Sequence, residues 1–194
     1  MIQRPVPHVS LALVTVLACA AAACSPVRIR LAFRPRPPSA ERAGRISFGT
    51  LTDERRNRTE VAPDVSVVPG TPSVLETTET IVRQGLAAAG WELVPDAPLR
   101  IDARLHTAWA HQTFYNVQAN VQLTLELRPA SGGGEPLWRH RFGVVDASGG
   151  ADARTNHQDA FRKALSKLAL EVAEAFGAST FAEAYAGATV TRSP

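Results

Sequence analysis

The stretch from Val117 to Arg128 constrains the fold more than any other. Val117, Ala119, Val121, Leu123, Leu125 and Leu127 alternate without a break with Gln118, Asn120, Gln122, Thr124, Glu126 and Arg128. Successive side chains on a strand point to opposite faces, so a period of two sustained over twelve positions predicts a strand with one buried face and one wet face. Such a strand belongs to an antiparallel sheet covered on one side only.

Its neighbours follow the same rule. Ile101, Ala103, Leu105 and Thr107 oppose Arg100, Asp102, Arg104 and His106, and Leu137 to Val145 places Trp138, Phe142 and Val144 on one parity. Ser131 to Pro136, with three consecutive glycines, is the loop between the last two strands. An earlier strand, Arg45 to Leu51, carries Ile46 and Phe48 inward and runs into Asp53, Glu54, Arg55 and Arg56. A polar loop follows, punctuated by Pro63, Pro69, Gly70 and Pro72.

Two helices are predicted. Ser73 and Glu76 form a capping box behind Pro72; Leu75, Thr78, Ile81, Val82, Leu86 and Ala89 mark one face, and Gly90 is the stop. Trp91 to Val94 then reads as a short extended piece. The second helix has Phe161, Leu165, Leu168, Val172 and Phe176 at spacings of three and four, Asn156 as N-cap, and Gly177 as its end. Ser179 to Tyr185 adds at most one further turn, and the chain after Gly187 is expected to be loose. The order β-α-β-β-β-α gives an α+β two-layer sandwich: a mainly antiparallel sheet of about four strands with two helices packed on one face.

The first 24 residues concern location. Val9 to Ala23 is an apolar run too short to span a bilayer as a stable helix, behind a head carrying Arg4 and closed by Ala21, Ala22 and Ala23 before Cys24. This is the pattern of a lipoprotein signal, with Cys24 as the acylated residue. Cys19, preceded by Val16, Leu17 and Ala18, also fits a loose lipobox. Choosing Cys24 leaves no spare thiol after cleavage, because no cysteine follows it. The segments are therefore 1–23 signal peptide, 24–43 acylated cysteine plus a stiff tether rich in arginine and proline, 44–187 the α+β domain, and 188–194 a flexible tail. Ser25 after Cys24, rather than Asp, points to the outer membrane, facing the periplasm.

Lys and Arg total 21 against 18 Asp and Glu, a net charge of +3. Beyond residue 40 the basic residues are interspersed with acids and form no stripe, so nucleic acid is not an expected partner. The expected contacts are the bilayer, through the acyl anchor, and an envelope protein.

The element order and several motifs resemble the YajG-like family of bacterial lipoproteins. The carriers are the lipobox, a strand running into Asp53-Glu54-Arg55, a helix ending in Ala88-Ala89-Gly90-Trp91-Glu92-Leu93, the Tyr115 to Leu125 strand and the helix entered through Asn156. The resemblance spans roughly Gly44 to Ala184 and implies an outer-membrane lipoprotein with no established enzymatic activity. The layout is also similar to transport lipoproteins of the LptE type and to auxiliary lipoproteins of ABC-type lipid transporters, which leaves a lipid or lipopolysaccharide transport role as the alternative.

No motif for an enzyme stands in the chain: there is no Gly-x-Ser-x-Gly, no phosphate loop, and no cysteine left to pair with a histidine after lipidation. A cell-wall hydrolase would need paired acids in a cleft. His106 and His111 have no common zinc spacing and opposite parity on an unbroken strand, so neither a metal nor a cofactor is expected. Asp53 and Arg55, where a strand meets a loop, are read either as a bidentate structural pair or as a ligand site. Trp109, Phe114 and Tyr115 crowd the link between two strands; they either close the end of the core or present a surface to a protein or a glycan.

Overall fold

The computed structural model describes residues 27–39, 41–114, 116–150 and 152–190. Cys19, Cys24 and Tyr115 lie outside them.

The covered face of the sheet is the sequence pattern made solid. Strand β7 (Asn116–Pro129) lies between β6 (Leu99–Thr113) and β8 (Trp138–Gly149), antiparallel to both. Its six inward side chains, Val117 through Leu127, are fully buried. Each of the five larger ones contributes roughly 1.5–3 kcal/mol relative to an exposed position, and Ala119 about 0.8 kcal/mol. On the far side of β6 lies β2 (Gly44–Asp53), which pairs parallel with β6 and also with β5 (Trp91–Leu93). The sheet therefore has five strands, ordered β5-β2-β6-β7-β8, and is mixed. Four strands are too few because Trp91 to Leu93, recognisably extended in sequence, joins the far edge beyond β2.

A second, three-stranded sheet, β1-β4-β3, comprises Val27–Ile29, Val65–Val67 and Glu60–Ala62. It occupies part of the expected polar loop, where Val61, Ala62 and Val65 are buried.

Helix α1 (Val74–Ala88) begins at the predicted capping box: the Glu76 backbone N–H donates to Ser73 Oγ, and Glu76 Oε2 accepts from the Ser73 backbone N–H. It stops at Gly90, whose φ of 86° suits glycine and where a Cβ would stand 2.1 Å from the Glu41 carbonyl oxygen. Helix α2 (Ala153–Gly177) buries Phe161, Leu165, Leu168, Val172 and Phe176 as the spacing predicts. Its N-cap is Asp152, not Asn156: the Asp152 carboxylate accepts from the backbone N–H groups of Arg154 and Thr155. An ionised side chain one turn earlier takes the orphan amides. Asn156 instead sits within the helix and donates from Nδ2 to the Gly150 carbonyl at 2.7 Å.

A third helix, α3 (Ser179–Val190), replaces the single turn and loose tail expected after Gly177 and Gly187. It holds because Phe181 is fully buried among Trp91, Trp138 and Phe176, at ring separations of 4.9–5.1 Å. Tyr185 adds a ring contact with Trp91 and donates its hydroxyl to the Arg45 carbonyl.

The stiff spacer expected over residues 24–43 is also corrected within its described part. Ile29 is fully buried, and Leu31 and Phe33 pack against the core. The Arg34 backbone N–H donates to Ser166 Oγ on α2, that of Ser39 to the Ala87 carbonyl on α1, and that of Ala43 to the Gly90 carbonyl. Residues 27–39 thus form a strap across both helices. Its alternating Val27, Ile29, Leu31 and Phe33 gain more from burial than from extension into water.

Candidate functional site

The wet face of β6, β7 and β8 is divided by an irregularity in β6. Leu105 pairs with Leu123 and Thr107 with Gln122, so His106 has no register partner. Such a bulge reverses the side-chain parity beyond it. Ile101, Ala103 and Leu105 face the helices before it, and Ala108 and Ala110 after it. His106, Thr107, Trp109 and His111 therefore share the open face. The parity expectation that separated His106 from His111 fails for this reason.

A cleft of ≈ 520 Å³ opens at the bulge, lined by Glu54, Arg55, Arg56, Asn57, His106, Thr107, Ala108 and Trp109. The acidic-basic run after β2 supplies one wall. Arg55 donates from Nε to Asp53 Oδ1 at 2.9 Å and from Nη2 to Asp53 Oδ2 at 2.8 Å, the bidentate geometry expected from sequence. These hydrogen bonds from Arg55 hold the Asp53 carboxyl below its usual range, against the opposing effect of burial. His106 is clamped at both ring nitrogens, by Glu54 Oε2 at 2.8 Å and Thr124 Oγ1 at 2.8 Å.

Hydroxyl, imidazole and carboxylate in sequence resemble a nucleophilic relay, but the setting disfavours one. Thr124 sits mid-strand, paired with Arg104 on one side and Arg141 on the other. The backbone of Thr124 and its strand neighbours is engaged in the two ladders rather than turned toward the hydroxyl. The chain of contacts orients His106 instead.

The cleft continues across the sheet as a second groove of ≈ 220 Å³, lined by Thr107, Trp109, His111, Gln118, Asn120 and Val145. Register explains the grouping: Trp109, Asn120 and Val145 form one row across the three strands, and His111, Gln118 and Ala147 the next. The three tryptophans separate cleanly here. Trp91 and Trp138 belong to the aromatic cluster under α3, whereas Trp109 makes no ring contact and no side-chain hydrogen bond among the described residues. Two polar atoms along this face are buried without a partner among those residues, Arg55 Nη1 and Asn120 Oδ1; a third, Gln84 Oε1, lies by the strap. Buried polar atoms are nearly always satisfied, so each marks hydrogen-bonding capacity left unused.

Of the residues singled out from sequence, the structure brings Arg55 and Trp109 into one cleft, with Asp53 behind as the partner of Arg55. Phe114 stands apart at the β6–β7 turn, 94% exposed with φ of 49°, and lines neither groove. Gln118, Asn120 and Val145 were read from sequence only as strand positions, and the bulge that assembles them with Trp109 leaves no composition signal. No group of three or more metal-binding side chains occurs among the described residues.

The other half of the open face is ionic. Glu126, 2% exposed, accepts from Arg128, Arg139 and Arg104 at 2.7, 2.8 and 3.2 Å. Burial pushes its carboxyl up, but the Arg128 hydrogen bond and the charges of Arg104 and Arg128 outweigh it, and the net direction is down. Arg100 bonds Asp102, and Arg141 donates to Gln122 Oε1.

With the geometry in place, the fold is comparable to solved structures. A DUF330-family protein from Xanthomonas campestris matches over 75% of this chain and 91% of its own, with 14% identity and a TM-score of 0.54. A minor lipoprotein from Acinetobacter baumannii matches over 68% and 94%, with 12% identity and a TM-score of 0.43. Lipoprotein GNA1162 from Neisseria meningitidis matches over 69% and 96%, with 11% identity and a TM-score of 0.40. The first of these establishes a shared α+β fold. No protein-family model matches the chain, so membership of the YajG-like family is not shown, and no curated protein matches it by sequence.

Proposed function

We propose that this chain is an acyl-anchored lipoprotein of the bacterial outer membrane, facing the periplasm, that works by binding an envelope partner rather than by catalysis. The observation that carries this reading is the distance between anchor and body. Cys24 precedes strand β1 by three residues, and β1 is paired with β4 inside the folded domain. Three residues span at most about 11 Å. Lipid on Cys24 would therefore hold the body against the bilayer at the edge formed by the small sheet, with little freedom to swing. The fold shared with the DUF330 protein is consistent with this role.

Lipid carriage would call for an apolar groove along the helices. Leu31 and Phe33 of the strap pack against the core there, and α1 meets α2 so closely that a Cβ on Gly85 would stand 2.6 Å from Val172 Cγ1. Binding through the open face is favoured over acyl-chain transport.

Mass spectrometry of the mature chain from fractionated membranes tests the reading. A diacylglyceryl-modified Cys24 at the new N-terminus, with release into the soluble fraction on Cys24→Ser, is the expected result. A soluble product carrying an unmodified Cys24 would overturn it.

A further inference from the structure

We infer that the Trp109 groove is a glycan-binding site that takes an N-acetylated hexosamine. This goes beyond membrane anchoring and does not rest on it, because the described residues of one chain complete the groove.

The sheet face decides the kind of ligand. Between β6, β7 and β8 the backbone groups are consumed by two antiparallel ladders. β8 is the outer strand of the sheet, so an extended peptide could pair only along its free edge, and on the face itself recognition falls to the side chains standing there. These are one indole, the amides of Gln118 and Asn120, the Thr107 hydroxyl and the His111 imidazole, with Asn57 and Arg56 at the adjoining cleft. An aromatic plane ringed by neutral donors and acceptors matches a pyranose ring, whose C–H face is apolar and whose rim is hydroxylated.

The buried charge nearest the groove is matched: Arg55 is held by Asp53, while Glu54, in contact with His106, and Arg56 are both exposed to solvent. A neutral ligand is therefore not opposed by an uncompensated buried ion.

The acetamido group follows from a single row. Asn120 stands directly opposite Trp109 on one side and Val145 on the other. Its Oδ1 is buried without a partner among the described residues, the side chain as a whole is only half-buried, and Val145 is 41% exposed. A turn of the Asn120 amide toward the groove would let Oδ1 accept from an acetamido N–H while the methyl covers Val145 and the sugar ring lies over Trp109. Two envelope polymers, peptidoglycan and the lipopolysaccharide glycolipid, carry acylated glucosamine, and the shared chemistry is the N-acylated hexosamine.

The test is calorimetric titration of the full chain in a non-glycosidic detergent with triacetylchitotriose, alongside cellotriose, which lacks the acetamido group. Binding of triacetylchitotriose is expected, weakened about tenfold or more by Trp109→Ala and by Asn120→Leu, and unchanged by Arg139→Ala outside the groove. Unaltered melting temperatures verify that the groove variants fold. A disaccharide of N-acetylglucosamine and N-acetylmuramic acid binding more tightly than triacetylchitotriose would support peptidoglycan as the source. Tighter binding of O-deacylated lipopolysaccharide, which keeps its amide-linked acyl groups, would support the glycolipid. No binding up to about 10 mM overturns the proposal. So does equal affinity for cellotriose, or binding indifferent to both groove variants.

Discussion

The two halves of the open sheet face stand on the same three strands and differ in how completely their polar groups are used. In the arginine half, Glu126 is saturated by three arginines, and Arg100 and Arg141 are bonded to Asp102 and Gln122. In the half beyond the bulge, among the described residues, Trp109 touches no other ring, and Asn120 Oδ1 and Arg55 Nη1 are buried without partners. Charge density is therefore a poor guide to where this molecule binds something. The most heavily charged region is closed on itself, and the capacity to bind lies where neutral groups remain unspent.

Breaking the closed half should have the largest effect on stability. Glu126→Ala leaves Arg128, which is 19% exposed, without its carboxylate, while Arg104 and Arg139 can still reach water. A loss of about 1–3 kcal/mol is expected in urea unfolding, below the cost of breaking a fully buried pair because two of the three arginines are solvated. Acid should do the same. Glu126 and Asp53 titrate below their ordinary values of 4.5 and 3.8 when folded, so the unfolded chain takes up their protons first as pH falls. Stability from these groups is fully present above about pH 5 and is lost as pH drops through the unfolded values toward the depressed folded ones. Glu126→Gln should flatten that acid limb, and an unchanged limb would show that the arginine cluster is not a linked unit.

The open half should respond weakly by the same measure. Trp109→Ala and Asn120→Leu remove side chains from a solvent-facing groove and should shift stability by about 1 kcal/mol or less. Arg139, with its side chain 55% exposed, should matter least, with Arg139→Ala costing under about 0.5 kcal/mol. A Trp109→Ala variant as unstable as Glu126→Ala would make Trp109 a core residue and erase the contrast.

The covered face was legible in sequence because hydrophobic burial writes itself as a period. Val117 through Leu127 and Phe161 through Phe176 are buried where their spacing put them. The capping box at Ser73 and the stop at Gly90 were equally local signals. What could not be read depends on contacts distant in the chain. The strap has the arginine and proline content of a spacer and packs because its apolar side chains meet the core while Ser166 and Ala87 bond its backbone. Helix α3 looked like a frayed end because the ring cluster that holds Phe181 comes from β5, β8 and α2. At the site, the bidentate pair of Asp53 and Arg55 was visible as two residues at one strand end. The groove was not, because one unpaired residue, His106, inverts the parity that placed Trp109.

The most direct test of the contrast is side-chain hydrogen exchange followed by NMR in the chain without ligand. The Trp91 indole N–H, donated to the Phe176 carbonyl at 3.0 Å, and the Arg128 Nε–H, donated to Glu126 at 2.9 Å, should exchange slowly. The Trp109 indole N–H, bonded to nothing among the described residues, should exchange at a rate close to that of a solvated indole. Protection of Trp109 equal to that of Trp91 would contradict the claim that this half of the face is open.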